Sequence, residues 1–208
     1  MKDTDELSIE VRILAAMAYG EASAMDVADE IGAIANVLVR QRKARGYPDM
    51  STFIKEDRTF SFVVKDGNAR YKKLMKASEA AIAKDTGMTA ALNSAKQALA
   101  DAGKDLSNGG YFWDGADIKS NYTKHFKVKH GIHFSDASHN IYGIEESTKL
   151  VIINKTTVKR KKGKVISLET KELARYDHIY VSTAAYGGTI FWKHDPAYMA
   201  ATGAKEYK

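Results

Sequence analysis

Apolar residues recur at Leu7, Val11, Leu14, Ala15 and Ala18, the spacing of a single helical stripe, and predict a first helix from about Ser8 to about Gly20. Val27, Ile31, Ile34, Ala35 and Leu38 line one face of a second helix, with Asp26 as the expected cap and Asp29 and Glu30 in the first turn. Arg40, Arg42, Lys43 and Arg45 crowd its end before Gly46, where cations oppose the helix dipole and glycine takes the left-handed turn. Past Pro48 a connection leads to a short apolar segment around Thr59–Val64 and an Asp66-Gly67 turn. Ala- and Lys-rich stretches predict helices over about 69–84 and 89–102, the latter stopped by Gly103.

From "DLSNGGYFWDGAD" onward the texture turns to Gly, Asn, Asp and aromatic residues, which is loop chemistry. "KLVIINKTTVK" and "KVISLETK" flank "RKKGK" and predict a hairpin with a basic tip, and "HIYVSTAAYGGTIFWKH" reads as one or two further strands around Gly187-Gly188. The expected class is α+β in one domain over 1–208, helical over about 1–117 and strand-rich over about 145–192.

Composition narrows the partner. A chain of 208 residues with 44% hydrophobic positions can bury a full core. Its formal charge of +6 suits an anionic partner: nucleic acid, a membrane surface or a bacterial wall. The absence of cysteine excludes disulfides and thiolate metal sites. "MKDTDELSIE" lacks the basic start and apolar run of a secretory signal, so a specialised carrier is expected if the target lies outside the cytoplasm. No run approaches the ~18 apolar residues of a spanning helix, so no membrane insertion is expected.

The first candidate for chemistry is the acid in "RILAAMAYGEAS". A carboxylate just past the end of a helix sits in the negative field of the dipole, and shielding by Met17 and Tyr19 would hold its proton more tightly. Glu21 is thus a candidate general acid.

"LAAMAYGEAS" followed by "EIGAIANVLVRQ" resembles the opening of the SleB-type cell wall hydrolases, with Tyr19, Gly20, Glu21 and Ala22 at the Y/N-G-E-A motif. Ala33, Asn36, Val37, Leu38 and Arg40 fall at the following A-x-x-N-V/I-L-x-R pattern. "TFSF" is similar to the Q-F-S-type segment, with Thr59 in place of Gln, and "DLSNGGYFWD" to the D-x-T-x-G-A-x-Y-F loop. These motifs cover about the first 115 residues. The resemblance implies a lysozyme-like fold, peptidoglycan as substrate and Glu21 as the acid that breaks glycan strands. After Asp117, "DGADIKSNY", "HNIYGI" and "STAAYGGTIFW" instead resemble lysozyme-like domains of antibacterial effectors of contact-dependent and type VI secretion. That likeness implies action in the wall of a target cell, delivery by a secretion-system carrier, and an immunity protein as a further partner.

Glycoside cleavage needs a proton for the leaving oxygen and stabilisation of an oxocarbenium-like centre, often by a second carboxylate ~5–5.5 Å (retaining) or ~6.5–9.5 Å (inverting) away. Asp26, Glu30, Asp57, Asp66, Asp114 and Asp117 are available, and Asp114 and Asp117 are favoured because they lie in the aromatic, Gly-rich loop. Alternatively, a lytic transglycosylase uses one Glu as acid and then base while the muramoyl 6-hydroxyl attacks. Tyr19, Ser61, Asn108, Tyr111, Trp113, Tyr186 and Gly187 are the candidate sugar contacts: polar groups to position the sugar, flat rings for its C–H faces, and a glycine for close backbone approach. Phe112, Phe191 and Trp192 divide between core and groove.

Other readings stay open. "HFKVKHGIHFSDASH" gathers His125, His130, His133 and His139, which raises a zinc amidase acting on peptide stems, but no H-E-x-x-H motif is present and no metal or cofactor is expected. A non-catalytic wall-binding module is the third class. "KRKKGK" reads as a solvated hairpin tip, and nothing in the aromatic pattern points to nucleic acid.

Overall fold

The computed structural model describes residues 8–60, 63 and 67–206. The helical half is built on α1 (Ile9–Glu21) and α2 (Ala28–Arg45), which pack on each other and on α6 (Thr86–Leu99). α3 (Met50–Glu56) and a 3₁₀ turn at Arg58–Phe60 close one side, and α4 (Ala69–Lys76) and α5 (Glu79–Ala83) cross the other. The small residues of α1 explain how closely this layer packs: Ala15, Ala16, Ala18 and Gly20 are buried together with Leu14, Met17 and Tyr19.

Four boundaries differ from the sequence expectation. α1 runs through Glu21, so Gly20 lies inside it, where Tyr71 and Asn68 at the start of α4 pack closely on that turn. A Cβ at Gly20 would sit 3.1 Å from Tyr71 Cβ, so glycine here serves packing and not termination. Asp26 is not the α2 cap. Val27 holds that position without a side-chain bond, and Asp26, at φ +54°, pairs with Arg70 instead. The expected helix over 69–84 breaks at Ala77-Ser78, where Ser78 caps a new start. The helix placed at 89–102 begins at Thr86, capped by Asp85 through Met88 N, and ends at Leu99. Gly46 ends α2 in the left-handed conformation, as the sequence predicts. Most of the apolar segment expected around Thr59–Val64 lies outside the described residues.

The second half carries β1 (Phe112–Asp114), α7 (Asp117–Ser120), α8 (Phe126–His130), β2 (Ile132–His133), β3 (Val151–Lys161), β4 (Lys164–Tyr176), β5 (Tyr180–Tyr186), β6 (Thr189–His194) and α9 (Pro196–Thr202). A four-stranded sheet runs β1-β6-β5-β2, antiparallel except for β2 beside β5, while β3 and β4 form a separate two-stranded ribbon. β1 and β2 are too short to read from sequence, so strands begin earlier than expected. The sheet is buried on both faces. Ala184 and Phe191 face the helical core, whereas Ile190 and Trp192 join Ile118, Val128, Ile132 and Phe134 in a second cluster, the alternation a strand imposes. The architecture is α+β. Among the described residues no helix is long and apolar enough to cross a membrane.

Candidate functional site

Three segments meet at the C-terminal end of α1. Glu21 is the last helical residue, and the chain turns at Ala22 into extended backbone. Opposite stand Trp113 and Asp114, delivered by β1, whose register sets Trp113 against Phe191 and Asp114 against Ile190. The β5–β6 turn supplies Gly188 and Thr189. Together with Ser23, Gly115, Ala116, Asp117 and Tyr142 these residues line an open cleft of about 460 Å³.

Burial pushes the Glu21 carboxyl above the usual carboxylate range, and the Trp113 side chain, within hydrogen-bonding reach, opposes that shift in part. The negative end of α1 acts in the same direction as burial. Glu21 therefore keeps its proton to higher pH than an ordinary carboxyl.

A carboxylate that the sequence analysis left as one acid among six holds the cleft together. Glu30, on the first turn of α2, is fully buried. It accepts from Ser23 N (3.1 Å), Ser23 Oγ (2.6 Å), Gly188 N (3.2 Å) and Thr189 Oγ1 (2.6 Å). One side chain thus ties the segment after Glu21 to the β5–β6 turn. Gly187 turns at φ +55° directly over this carboxylate, leaving no room for a Cβ.

Three more polar groups of α2 hold the loop before β1. Asn36 Oδ1 accepts from Leu106 N (3.0 Å). Arg40 binds Ser107 Oγ (2.9 Å), the Gly110 carbonyl and Asp105, and Gln41 donates to the Tyr111 carbonyl (2.6 Å). The available signal was polar residues on the buried side of an otherwise apolar helix, which are retained only where they have partners.

Asp114 and Asp117 occupy different environments. The Asp114 side chain is 9% exposed, with Oδ1 at 2.8 Å from Lys127 Nζ and 3.3 Å from His125 Nε2. Its Oδ2 reaches neither solvent nor a partner among the described residues. Asp117, at the start of α7, is 60% exposed and lies 3.5 Å from the same His125 nitrogen. Ligand atoms of Asp114, Asp117 and His125 fall within 4.8 Å of one another, spacing a cation could bridge. Lys127 already supplies a positive charge to Asp114 there, which opposes a metal ion.

Other predicted contacts are placed elsewhere. Tyr19 is buried under the Arg70 guanidinium, 3.8 Å from the ring centre, and Arg70 also binds the Tyr19 carbonyl and Asp26. Asn108, at φ +47°, donates to the Thr183 carbonyl. Tyr111 lies under Arg40 beside a different hollow, between α2 and the end of α6. Tyr186 packs on the helical core, and Phe191 and Trp192 are fully buried. Ser61 lies outside the described residues.

The histidines expected as a cluster have separate partners. His125 faces Asp114, His130 bonds the Phe126 carbonyl within α8, His133 pairs with Glu146, and His139 bonds Ser182 Oγ.

Compared with protein families, with curated proteins and with solved structures, the chain matches none.

Proposed function

We propose that this protein cleaves the glycan strands of peptidoglycan as a lysozyme-like hydrolase, with Glu21 as general acid. The observation that carries the reading is a partly buried carboxyl with a raised pKa, at a helix end, in a cleft that also presents a second carboxylate. The SleB-type motifs add support, since their Glu falls on this residue and their Asn and Arg fall on Asn36 and Arg40, which hold the loop leading to β1.

In this mechanism Glu21 gives its proton to the leaving glycosidic oxygen as the C–O bond breaks. Asp117, the accessible carboxylate, stabilises the oxocarbenium-like centre or activates water, and Asp114 positions it through His125. Trp113 offers a ring face to a sugar. An exposed second carboxylate supports hydrolysis over internal attack by the muramoyl 6-hydroxyl. The likeness of the second half to effector domains supports an antibacterial role in the target-cell wall, met there by an immunity protein.

Mass spectrometry of fragments released from purified peptidoglycan tests the chemistry. Reducing-end muropeptides are expected. Anhydro-muramyl ends would move the mechanism to transglycosylation with the same acid, and free stem peptides would overturn it in favour of an amidase.

The two aspartates should separate cleanly. Asp117→Asn is expected to lower kcat about 100-fold with an unchanged melting temperature, because its carboxylate is exposed. Asp114→Asn should cost about 3 kcal/mol in urea denaturation, because it leaves the Lys127 ammonium, itself 13% exposed, without its counter-charge. A stable Asp114→Asn protein would remove its structural role.

The pH profile follows from Glu21. A general acid works only while protonated, so kcat should fall as pH rises through its raised pKa, and the basic limb should disappear in Glu21→Gln.

A further inference from the structure

The β3–β4 ribbon is the part of the molecule that the cleft does not use. From Val151 to Tyr176 it carries eight Lys and Arg against two Glu, a net +6 that equals the formal charge of all 208 residues. The protein's whole charge excess therefore sits on one arm, ~36 Å long at ~3.3 Å per residue. α9 braces only its base, where the Tyr176 and Tyr198 rings meet at 5.1 Å.

The register sorts the outer arm into two unlike faces. Paired residues share a face and successive pairs alternate. Lys155 opposes Lys171, Thr157 opposes Glu169, Lys159 opposes Ser167 and Lys161 opposes Lys164 on one face. Thr156 opposes Thr170, Val158 opposes Leu168 and Arg160 opposes Val165 on the other, with Ile166 at a bulge between. Val158, Val165, Ile166 and Leu168 are all exposed, Leu168 by 67%. Like charges directly opposite each other destabilise an antiparallel pair, and a two-stranded ribbon gains little stability by itself. This arm carries both burdens without a covering layer.

We propose that the arm docks flat on an anionic lipid surface. Its apolar face enters the headgroup and acyl boundary, with Arg160 reaching back to the surface, while the lysines of the opposite face, one ribbon thickness farther out, remain within a Debye length of the negative headgroups. A nucleic acid or an anionic wall polymer would satisfy the lysines and leave the apolar face in water. A second copy would bring two +6 arms together. Unpaired backbone groups along both strand edges keep the ribbon at the interface, since hydrocarbon cannot satisfy them. The proposal goes beyond the glycan reading and does not depend on it.

The test is flotation of the full chain with vesicles of phosphatidylcholine containing about 30 mol % phosphatidylglycerol, against phosphatidylcholine alone. Binding to the anionic vesicles only is expected. Lys155→Gln with Lys171→Gln, and separately Val158→Thr with Leu168→Thr, should each weaken it about tenfold. Because the chain has no cysteine, an environment-sensitive dye can be placed at Leu168→Cys or Ser167→Cys. A blue shift on vesicles at 168 and little at 167 is expected, a comparison that holds even if a double variant folds poorly. Absence of wild-type binding overturns the proposal. So does unchanged binding of the threonine pair with loss in the glutamine pair, and anisotropy with duplex DNA or purified wall polymer would then identify the polyanion.

Discussion

Glu21→Gln is expected to lower glycan cleavage by about 10²–10⁴-fold while leaving the fold intact, and at neutral pH to raise the melting temperature. The activity loss follows from removing the only proton that this mechanism delivers to the leaving oxygen. The stability gain follows from burial. A carboxyl whose pKa is raised on folding binds its proton more tightly in the native state, so its contribution is complete below the unfolded value and is lost as pH rises through the folded value. At neutral pH the ionised form is a cost, which the neutral amide removes. Each ~1 kcal/mol recovered should appear as ~2–4 °C in a chain of this size. The variant's advantage should vanish well below the unfolded value of 4.5, at about pH 3, where wild type is protonated in both states. Undiminished cleavage by Glu21→Gln would end the assignment, whatever its effect on melting.

Glu30→Ala should be the most destabilising single change, about 3–5 kcal/mol, read as a shift of the urea midpoint at constant slope. Two backbone N–H groups and two hydroxyls converge on this carboxylate. Removing it strands those donors in the interior at about 1–3 kcal/mol per unsatisfied group, offset where water enters the space. Glu30→Gln should fall between. Its oxygen can still accept, but its amide hydrogens meet donors and force at least one hydroxyl to turn. Activity should drop in both variants because Ser23, Gly188 and Thr189 border the cleft. A midpoint within the error of wild type for Glu30→Ala would show that Glu30 does not hold the cleft.

Local pattern determined much of this protein. The helical first half, the Gly46 stop, the hairpin with its Lys162-Gly163 turn and the paired strands around Gly187-Gly188 are set by residue spacing and turn chemistry, which act over a few neighbours. Glu21 stood out as an acid at a helix end that also falls on the SleB-type motif, and the Trp113–Asp117 loop as a Gly-rich aromatic stretch carrying two carboxylates.

Tertiary structure decided the rest, because the deciding neighbours are remote in sequence. Gly20 is glycine on account of Tyr71, and Asp26 leaves its cap for Arg70. Glu30 joins the nearby Ser23 to Gly188 and Thr189, which lie 158 and 159 positions along the chain. The division between a buried Asp114 and an exposed Asp117 arises where β1 ends and Lys127 comes beside it. The histidines lie close along the chain and apart in partners, since each short element turns its ring toward a different acid, carbonyl or hydroxyl. Histidines adjacent in sequence are thus separated by packing, while Glu21 is brought beside Trp113, Asp114 and Asp117, about 90 positions along the chain, in one cleft.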